Sequence, residues 1–474
     1  MATRQVTGIL VPVLFCGLAV SCKVGPNYHP PKVPMPVQWE GVPAGAAGGQ
    51  SVATAHTADL SEWWKSFNDP QLTLLIEECL RSNLTLLQAR TRILQAREAR
   101  IITRSRLFPE VISSGTISGS RSAIGELGTR TLFQAGLDSA WELDFFGGIR
   151  RAVEAADANI QFAIEDSRDF MVILTSETAV NYAQLRGFQQ QLTIAEKNLA
   201  LQLRTLDITQ KRFEVGFASG LDVANAKAQV AATESTIPVL ESAAQQAIYR
   251  ISVLLGREPV ALLPELSPRA DIPITPPVVP VGLPSELLQR RPDIRRAEAL
   301  LHITTAEIGV ARSDFFPRFS LTGSAGVQSL VGGTLGSLAG TFWSIGPGFT
   351  LPIFTAGRIK ANVRLQTAEQ QEAFLAYRQS IFTALQDVES ALIAYSKDQR
   401  QRASLIEAVR ANERAVELAT QAYTSGQVDF LNVLTAQQNL YSSEEALAQS
   451  TTTIATDLIA LYKALGGGWS ATIN

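Results

Sequence analysis

Few side chains are placed to carry out a reaction. Histidine occurs only at His29, His56 and His302, so neither a metal cluster nor a Ser-His-Asp arrangement is apparent. Gly466-Gly-Gly468 lacks the Lys-Ser/Thr of a phosphate loop and follows a helical pattern instead of opening one, which makes it a helix stop. No cofactor and no enzymatic turnover are expected. Polar residues instead recur at alternate positions. Gln134, Asp138 and Glu142 sit among the apolar Phe133, Ala135, Leu137, Trp141 and Leu143, and Ser344 sits among Trp343, Ile345, Phe349 and Leu351. One wet face and one greasy face is the pattern of a wall between water and lipid or of a soluble sheet with one solvated face; on the first reading these four polar residues are candidates for the lining of a passage.

A second candidate is a covalent one. Arg4, the apolar run Ile9 to Val20 and Ser21-Cys22-Lys23 have the layout of a secretory signal, and the run is too short to span a bilayer. Cys22, directly after small residues, resembles the cysteine of a bacterial lipobox, with Ala19 where leucine is usual. Residues 1–21 are then a signal peptide and Cys22 a lipidation (palmitate) site, with Lys23 resembling the sorting signal of outer-membrane lipoproteins. Cys79 would remain as the single thiol of the mature chain, unable to form an internal disulfide. The formal net charge of −3 gives no reason to expect a nucleic-acid partner.

The elements that must position these residues come in two copies. Phe108-Pro109 recurs as Phe316-Pro317, and Trp141-Glu-Leu-Asp-Phe-Phe-Gly-Gly-Ile-Arg150 as Phe349-Thr-Leu-Pro-Ile-Phe-Thr-Ala-Gly-Arg358, at an offset of 208. Phe213-x-x-Gly216 then returns as Tyr423-x-x-Gly426, and Leu255-Gly256 as Leu465-Gly466, at 210. A two-residue insertion in the second copy accounts for the change, so the duplication spans nearly all of the mature chain. Each copy predicts a pair of alternating strands, near 110–120 and 132–144 and near 318–328 and 341–353. From Gly148 to Phe213 and from Gly357 to Tyr423 there is no proline and apolar spacing is helical. As continuous helices these runs would be roughly 100 Å long, which implies coiled-coil rods. Glycine turns at Gly216, Gly220 and Gly426 mark the rod tips, and returning helices follow, the first interrupted by Pro238. The expected organisation is a tail over 22–60, a first repeat over 61–260, a stiff Pro-rich linker over 261–284 running across the surface, a second repeat over 285–469 and a C-terminal tail over 470–474.

Four strands with a lipid-like face cannot stand alone in a bilayer, because their edges would leave backbone N–H and C=O groups unsatisfied. Two chains would close to an eight-stranded barrel filled by side chains, and three to a twelve-stranded barrel with room for a channel. A lipid-anchored coiled-coil scaffold or adhesin is the rival reading. It has long helices but gives no reason for amphipathic strands at equivalent points of both repeats.

Several motifs carry a family resemblance. Cys22-Lys-Val-Gly-Pro-Asn-Tyr-His-Pro-Pro31, Gly282-Leu-Pro-Ser-Glu-Leu-Leu-Gln-Arg-Arg-Pro-Asp-Ile-Arg295, Leu351-Pro-Ile-Phe-x-x-Gly-Arg358 and Leu461-Tyr-Lys-Ala-Leu-Gly-Gly-Gly-Trp469 resemble the TolC-like outer-membrane factors of tripartite efflux systems. Within them the chain looks like the lipoprotein branch typified by NodT and OprM. The resemblance implies a homotrimer in the bacterial outer membrane, with a twelve-stranded β-barrel continuous with a long α-helical barrel in the periplasm. It also implies docking to a periplasmic membrane-fusion adaptor and an inner-membrane transporter, often proton-driven, through hairpin tips that include Gly216, Gly220 and Gly426. Family members commonly read Tyr-x-x-Gly followed by a Val-Leu-Asp-Ala-like segment whose aspartates ring the periplasmic constriction. Tyr423 matches the tyrosine that helps hold the closed state. Asn432 and Thr435 stand where aspartates are frequent, Val428 where some members carry an arginine, and Asp429 is the nearest acidic substitute. The expected gate is therefore Tyr423, Asp429, Asn432 and Thr435, on the second copy and less cation-binding than usual.

Overall fold

The computed structural model describes residues 23–40, 52–54, 59–121, 129–276 and 278–470; residues 1–21, expected to form a signal peptide, and Cys22 lie outside the described residues. The main elements in chain order are β1 (Val52–Thr54), α1 (Pro70–Ser82), α2 (Leu84–Ser105), β2 (Glu110–Arg121), β3 (Thr129–Leu143), α3 (Gly148–Glu214), α4 (Gly220–Leu254), β4 (Val278–Pro280), α5 (Pro292–Ser313), β5 (Arg318–Ser329), β6 (Thr341–Thr350), α6 (Arg358–Thr424) and α7 (Phe430–Ala464). Both long helices have 67 residues and both returning helices 35. Pro238 lies inside α4 without ending it. No helix among the described residues is long and apolar enough to cross a membrane.

Local chemistry explains where the helices start and stop. Asp69 caps α1, its carboxylate accepting from the Leu72 N–H at 3.0 Å with Pro70 in the first turn. Asn83 separates α1 from α2 and caps the latter by accepting from the Leu86 N–H. All four long helices end alike. Phe217 N–H donates to Arg212 O and Gly216 N–H to Phe213 O, and the same pair of bonds recurs at Arg257/Gly256, Gln427/Gly426 and Gly467/Gly466. The glycines hold φ of +83°, +69°, +75° and +75°. This is the Schellman ending, which requires a left-handed residue after the last turn and so explains the repeated aromatic-x-x-Gly and Leu-Gly motifs.

The strands form one antiparallel sheet in the order β2-β3-β5-β6. β3 begins three residues before the expected segment, and β6 ends at Thr350 instead of residue 353, because Pro352 has no N–H to continue the ladder. The structure also moves the insertion. The glycines that precede α3 and α6, Gly147 and Gly357, both have positive φ and lie 210 apart, so Arg150 and Arg358 are not equivalent positions. The two extra residues fall in the connector from β6 to α6, where Ala356 adopts φ of +48°.

The chain divides into two compact units, each drawing on both repeats: the described parts of 1–32, 91–164 and 296–379, and those of 33–90, 165–295 and 380–474. In the first, the tail is clamped. Arg151, 1% exposed, donates to Val24 O, Gly25 O and Asn27 Oδ1 and is paired with Glu154, which also takes Lys23. Gly25 lies against the α5 backbone, where a Cβ would stand 2.5 Å from Gly309 Cα. Tyr28 stacks on His302 at 4.3 Å and donates to Glu298. The Val-Gly-Pro-Asn-Tyr motif is thus a docking segment.

In the second unit the linker departs from expectation. It does not simply run across the surface: Leu262, Leu266, Val279 and Val281 are fully buried, and β4 pairs in parallel with β1 of the tail. Burial of alternate apolar residues holds a segment whose prolines preclude a longer strand. The linker and C-terminal motifs meet here. Trp469 donates to Arg290 O and lies under the guanidinium groups of Arg168 and Arg295, both of which pair with the buried Glu165. Arg291 caps α7 at Ala464 O.

Candidate functional site

Paired residues of an antiparallel ladder face the same side, so the register decides which side chains share a surface. Asp138 pairs with Ile112 and Ser324, and Ser324 with Ser344; Gln134 pairs with Thr116 and Gln328; Glu142 pairs with Ser320. Gln134, Asp138, Glu142 and Ser344 therefore lie on one face of the four strands, with Ser114, Ser118, Ser120, Thr322 and Gly346 around them. Asp138 accepts from Ser114 Oγ at 2.7 Å, and the hydroxyls of Ser324 and Ser344 bond to each other at 2.7 Å. The opposite face carries Val111, Ile117, Leu137, Trp343, Ile345 and Phe349, all more than half exposed, together with Phe133, Trp141 and Phe319. β2 and β6 each have one unpaired edge in the chain.

The other expected site is the pair of turns joining α3 to α4 and α6 to α7. The two turns share a backbone and differ in side chains. In the first, Ser219 and Asp222 form a capping box: Asp222 N–H donates to Ser219 Oγ at 3.1 Å, and Ser219 N–H to Asp222 Oδ2 at 2.8 Å. In the second, Asp429 occupies the cap position without a side-chain cap bond and is exposed. Asn432 and Thr435 are also exposed, one turn apart on α7, so both remain available to a neighbouring chain. Tyr423 is not. It is buried with Phe430, Val433 and Ala226, its ring edge-on to Phe430 at 5.7 Å, and Val428 packs against the same cluster. Its hydroxyl is buried and finds no hydrogen-bond partner among the described residues.

The residue that holds Tyr423 is one the sequence reading missed. Arg212, at the end of α3, lies over the Tyr423 ring with its guanidinium carbon 4.6 Å from the centroid, and donates to Tyr423 O at 2.9 Å and Thr424 O at 3.3 Å. A cation of the first repeat thereby caps the helix of the second. The available signal was the broken symmetry itself: Arg212 has Ala422 as its counterpart at the 210 offset, and Gly220 has Phe430. A Cβ at Gly216 or Gly426 would meet no described atom within 4 Å, and one at Gly220 only the Phe213 ring, so there is open space beside these three glycines.

A family model described as outer membrane efflux protein matches residues 75–257 and 283–467, one stretch in each repeat. The chain is 30% identical over 461 residues to nodulation protein T of Rhizobium leguminosarum bv. trifolii, covering 96% of both. It is 33% identical over 476 residues to the probable efflux pump outer membrane protein TtgC of Pseudomonas putida, covering 98% of this chain and 96% of the relative. Among solved structures, the outer-membrane channel OprN superimposes with a TM-score of 0.88 at 36% identity, over 94% of this chain and all of OprN.

Proposed function

Because the chain belongs to the outer membrane efflux protein family, we propose that it is the passive exit duct of a tripartite efflux pump, assembled as a homotrimer and gated at its periplasmic tip. The observation that carries this reading is the register: it gathers Gln134, Asp138, Glu142 and Ser344 on one face, apolar residues on the other, and leaves two open edges. Three copies would close those edges into a twelve-stranded barrel with the polar face inward. The long helices would continue the passage into the periplasm. A membrane-fusion adaptor would dock at the tips around Gly216, Gly220 and Gly426, and an inner-membrane transporter, driven by protons, would supply the energy. Acylated Cys22 would anchor the tail in outer-membrane lipid, with the Arg151 clamp fixing where that anchor leaves the body. The duct itself performs no enzymatic step.

At the tip, Asn432 and Thr435 would form the narrowest ring, with Tyr423 and Asp429 beside it. With no carboxylate at residues 432 and 435, that ring should bind cations weakly. Purified protein in planar bilayers tests both levels. Stepwise conductance is expected of the wild type, and Thr435→Asp is expected to raise cation selectivity and sensitivity to trivalent-cation block. Absence of conductance would refute the duct; equal selectivity and equal block in both proteins would refute the placing of the ring.

A further inference from the structure

The face that lines the proposed duct is mostly polar, but Ile112, Leu132 and Phe342 interrupt it. Phe342 pairs with Gly326, and Gly326 with Gly136, so Phe342 stands on the same face as Asp138 and Gln134. It is the one aromatic among the described strand residues of that face. Its ring packs against the neighbouring strand: a Cβ on Gly326 would be 3.0 Å from Phe342 Cε1. Gly326 therefore leaves the room that the ring uses, and a side chain at residue 326 would press on it. Such pairing of an aromatic with a strand glycine shields exposed backbone. Phe342 itself remains partly exposed.

The cross-strand rows on either side are mostly polar. One holds Ile112, Asp138, Ser324 and Ser344, and the other Thr116, Gln134 and Gln328. With strands about 5 Å apart, the ring over β5 and the Asp138 carboxylate on β3 lie within about 10 Å of each other, the span of a small organic cation. Charge on this face is one-sided at mid-height. The strand cations Arg130 and Arg318 stand at its two ends, Arg318 being tied to Asp314 at 2.5 Å, while Asp138 accepts only from Ser114 among the described hydrogen bonds. A partly exposed aromatic ring beside a carboxylate attracts groups that are both apolar and positively charged.

Resting on the duct reading, we propose that Phe342, packed against Gly326, forms with Asp138 a weak lumenal subsite for cationic amphiphiles. Its role is to hold an apolar cation against the wall near mid-barrel, so that the wall selects as well as conducts. The test is block of potassium current through purified trimers in planar bilayers by tetraphenylphosphonium, with tetraphenylborate as the anion of the same shape. Wild type should be blocked by the cation at a concentration at least roughly tenfold below that of the anion. Phe342→Ser and Asp138→Asn should each raise the half-blocking cation concentration by roughly fivefold. Phe342→Tyr should retain wild-type block, and Trp343→Leu, on the opposite face, should change nothing. Asp138→Asn keeps the proposal testable if Phe342→Ser trimers fail to assemble. Normal conductance with block unaltered in Phe342→Ser or in Asp138→Asn overturns the subsite alone; no conductance in the wild type overturns the duct and the subsite with it.

Discussion

Tyr423 is held by its ring and not by its hydroxyl. Among the described residues its hydroxyl has no partner, and the ring is held by Arg212 above and Phe430 at its edge. Tyr423→Phe should therefore leave the tip as stable as before, whereas Arg212→Ala should remove a cation–π contact and two charge-assisted bonds to the α6 terminus, about 1–2 kcal/mol of local stability. Hydrogen exchange at the amides of Gly426 and Gln427 would read this directly; faster exchange in Tyr423→Phe than in Arg212→Ala would contradict it. Asp457 offers a second test. Burial, and then the neighbouring Asp398, push its carboxyl up to about 7. The folded state thus keeps a proton that the unfolded state has lost, and stability falls as pH rises from about 4 to about 7. Asp457→Asn should raise the melting temperature at pH 8 and leave it nearly unchanged at pH 4, measured by thermal unfolding in detergent.

At the level of elements, the identity of helix lengths across the repeats has a physical cause. Each residue turns a helix by about 100°, so two extra residues would swing everything beyond them by about 200° and point the apolar stripe outward. The surplus is instead absorbed beside Pro352, where no stripe is at stake. Two further residues inserted after Gln190 in α3 should abolish trimers, while two inserted after Pro352 should be tolerated, as judged by SDS-resistant species on unheated gels. These features were legible in the sequence because each has a local signal: Schellman glycines end the helices, and period-two polarity marks the strands. What escaped the sequence has none. β1 and β4 are three-residue strands with no room for a period. Arg212 acts on a carbonyl 211 residues away. Phe342 occupies a polar-face position where its side chain looks like an exception to the pattern, and only the ladder register reveals the glycine it packs against. The departure of the linker from a surface path has the same origin, since proline count signals stiffness and says nothing of what the intervening leucines and valines bury.

On the scale of the whole molecule, the sheet is incomplete by itself. In hydrocarbon, the unpaired N–H and C=O groups along β2 and β6 would cost several kcal/mol each, so closure by further copies is required for residence in the outer membrane. Consecutive residues of a strand point their amides to opposite sides, and an isolated edge strand tolerates proline wherever the N–H faces outward. Ile117→Pro and Ser118→Pro should thus behave alike in a closed barrel, both losing SDS-resistant trimers, whereas an open sheet would lose pairing in one only. Retention of trimers by either variant would argue against closure through β2.

The two open edges also fix how a defective allele behaves in a cell that carries a good one. A copy spoiled on β2 still presents an intact β6, and it will be taken into rings by sound partners. With equal expression and random mixing, only roughly one ring in eight would contain no spoiled copy. Lesions along β2 or β6 are therefore expected to be genetically dominant, while lesions in the proposed signal segment, which would keep the copy from ever reaching its partners, are expected to be recessive.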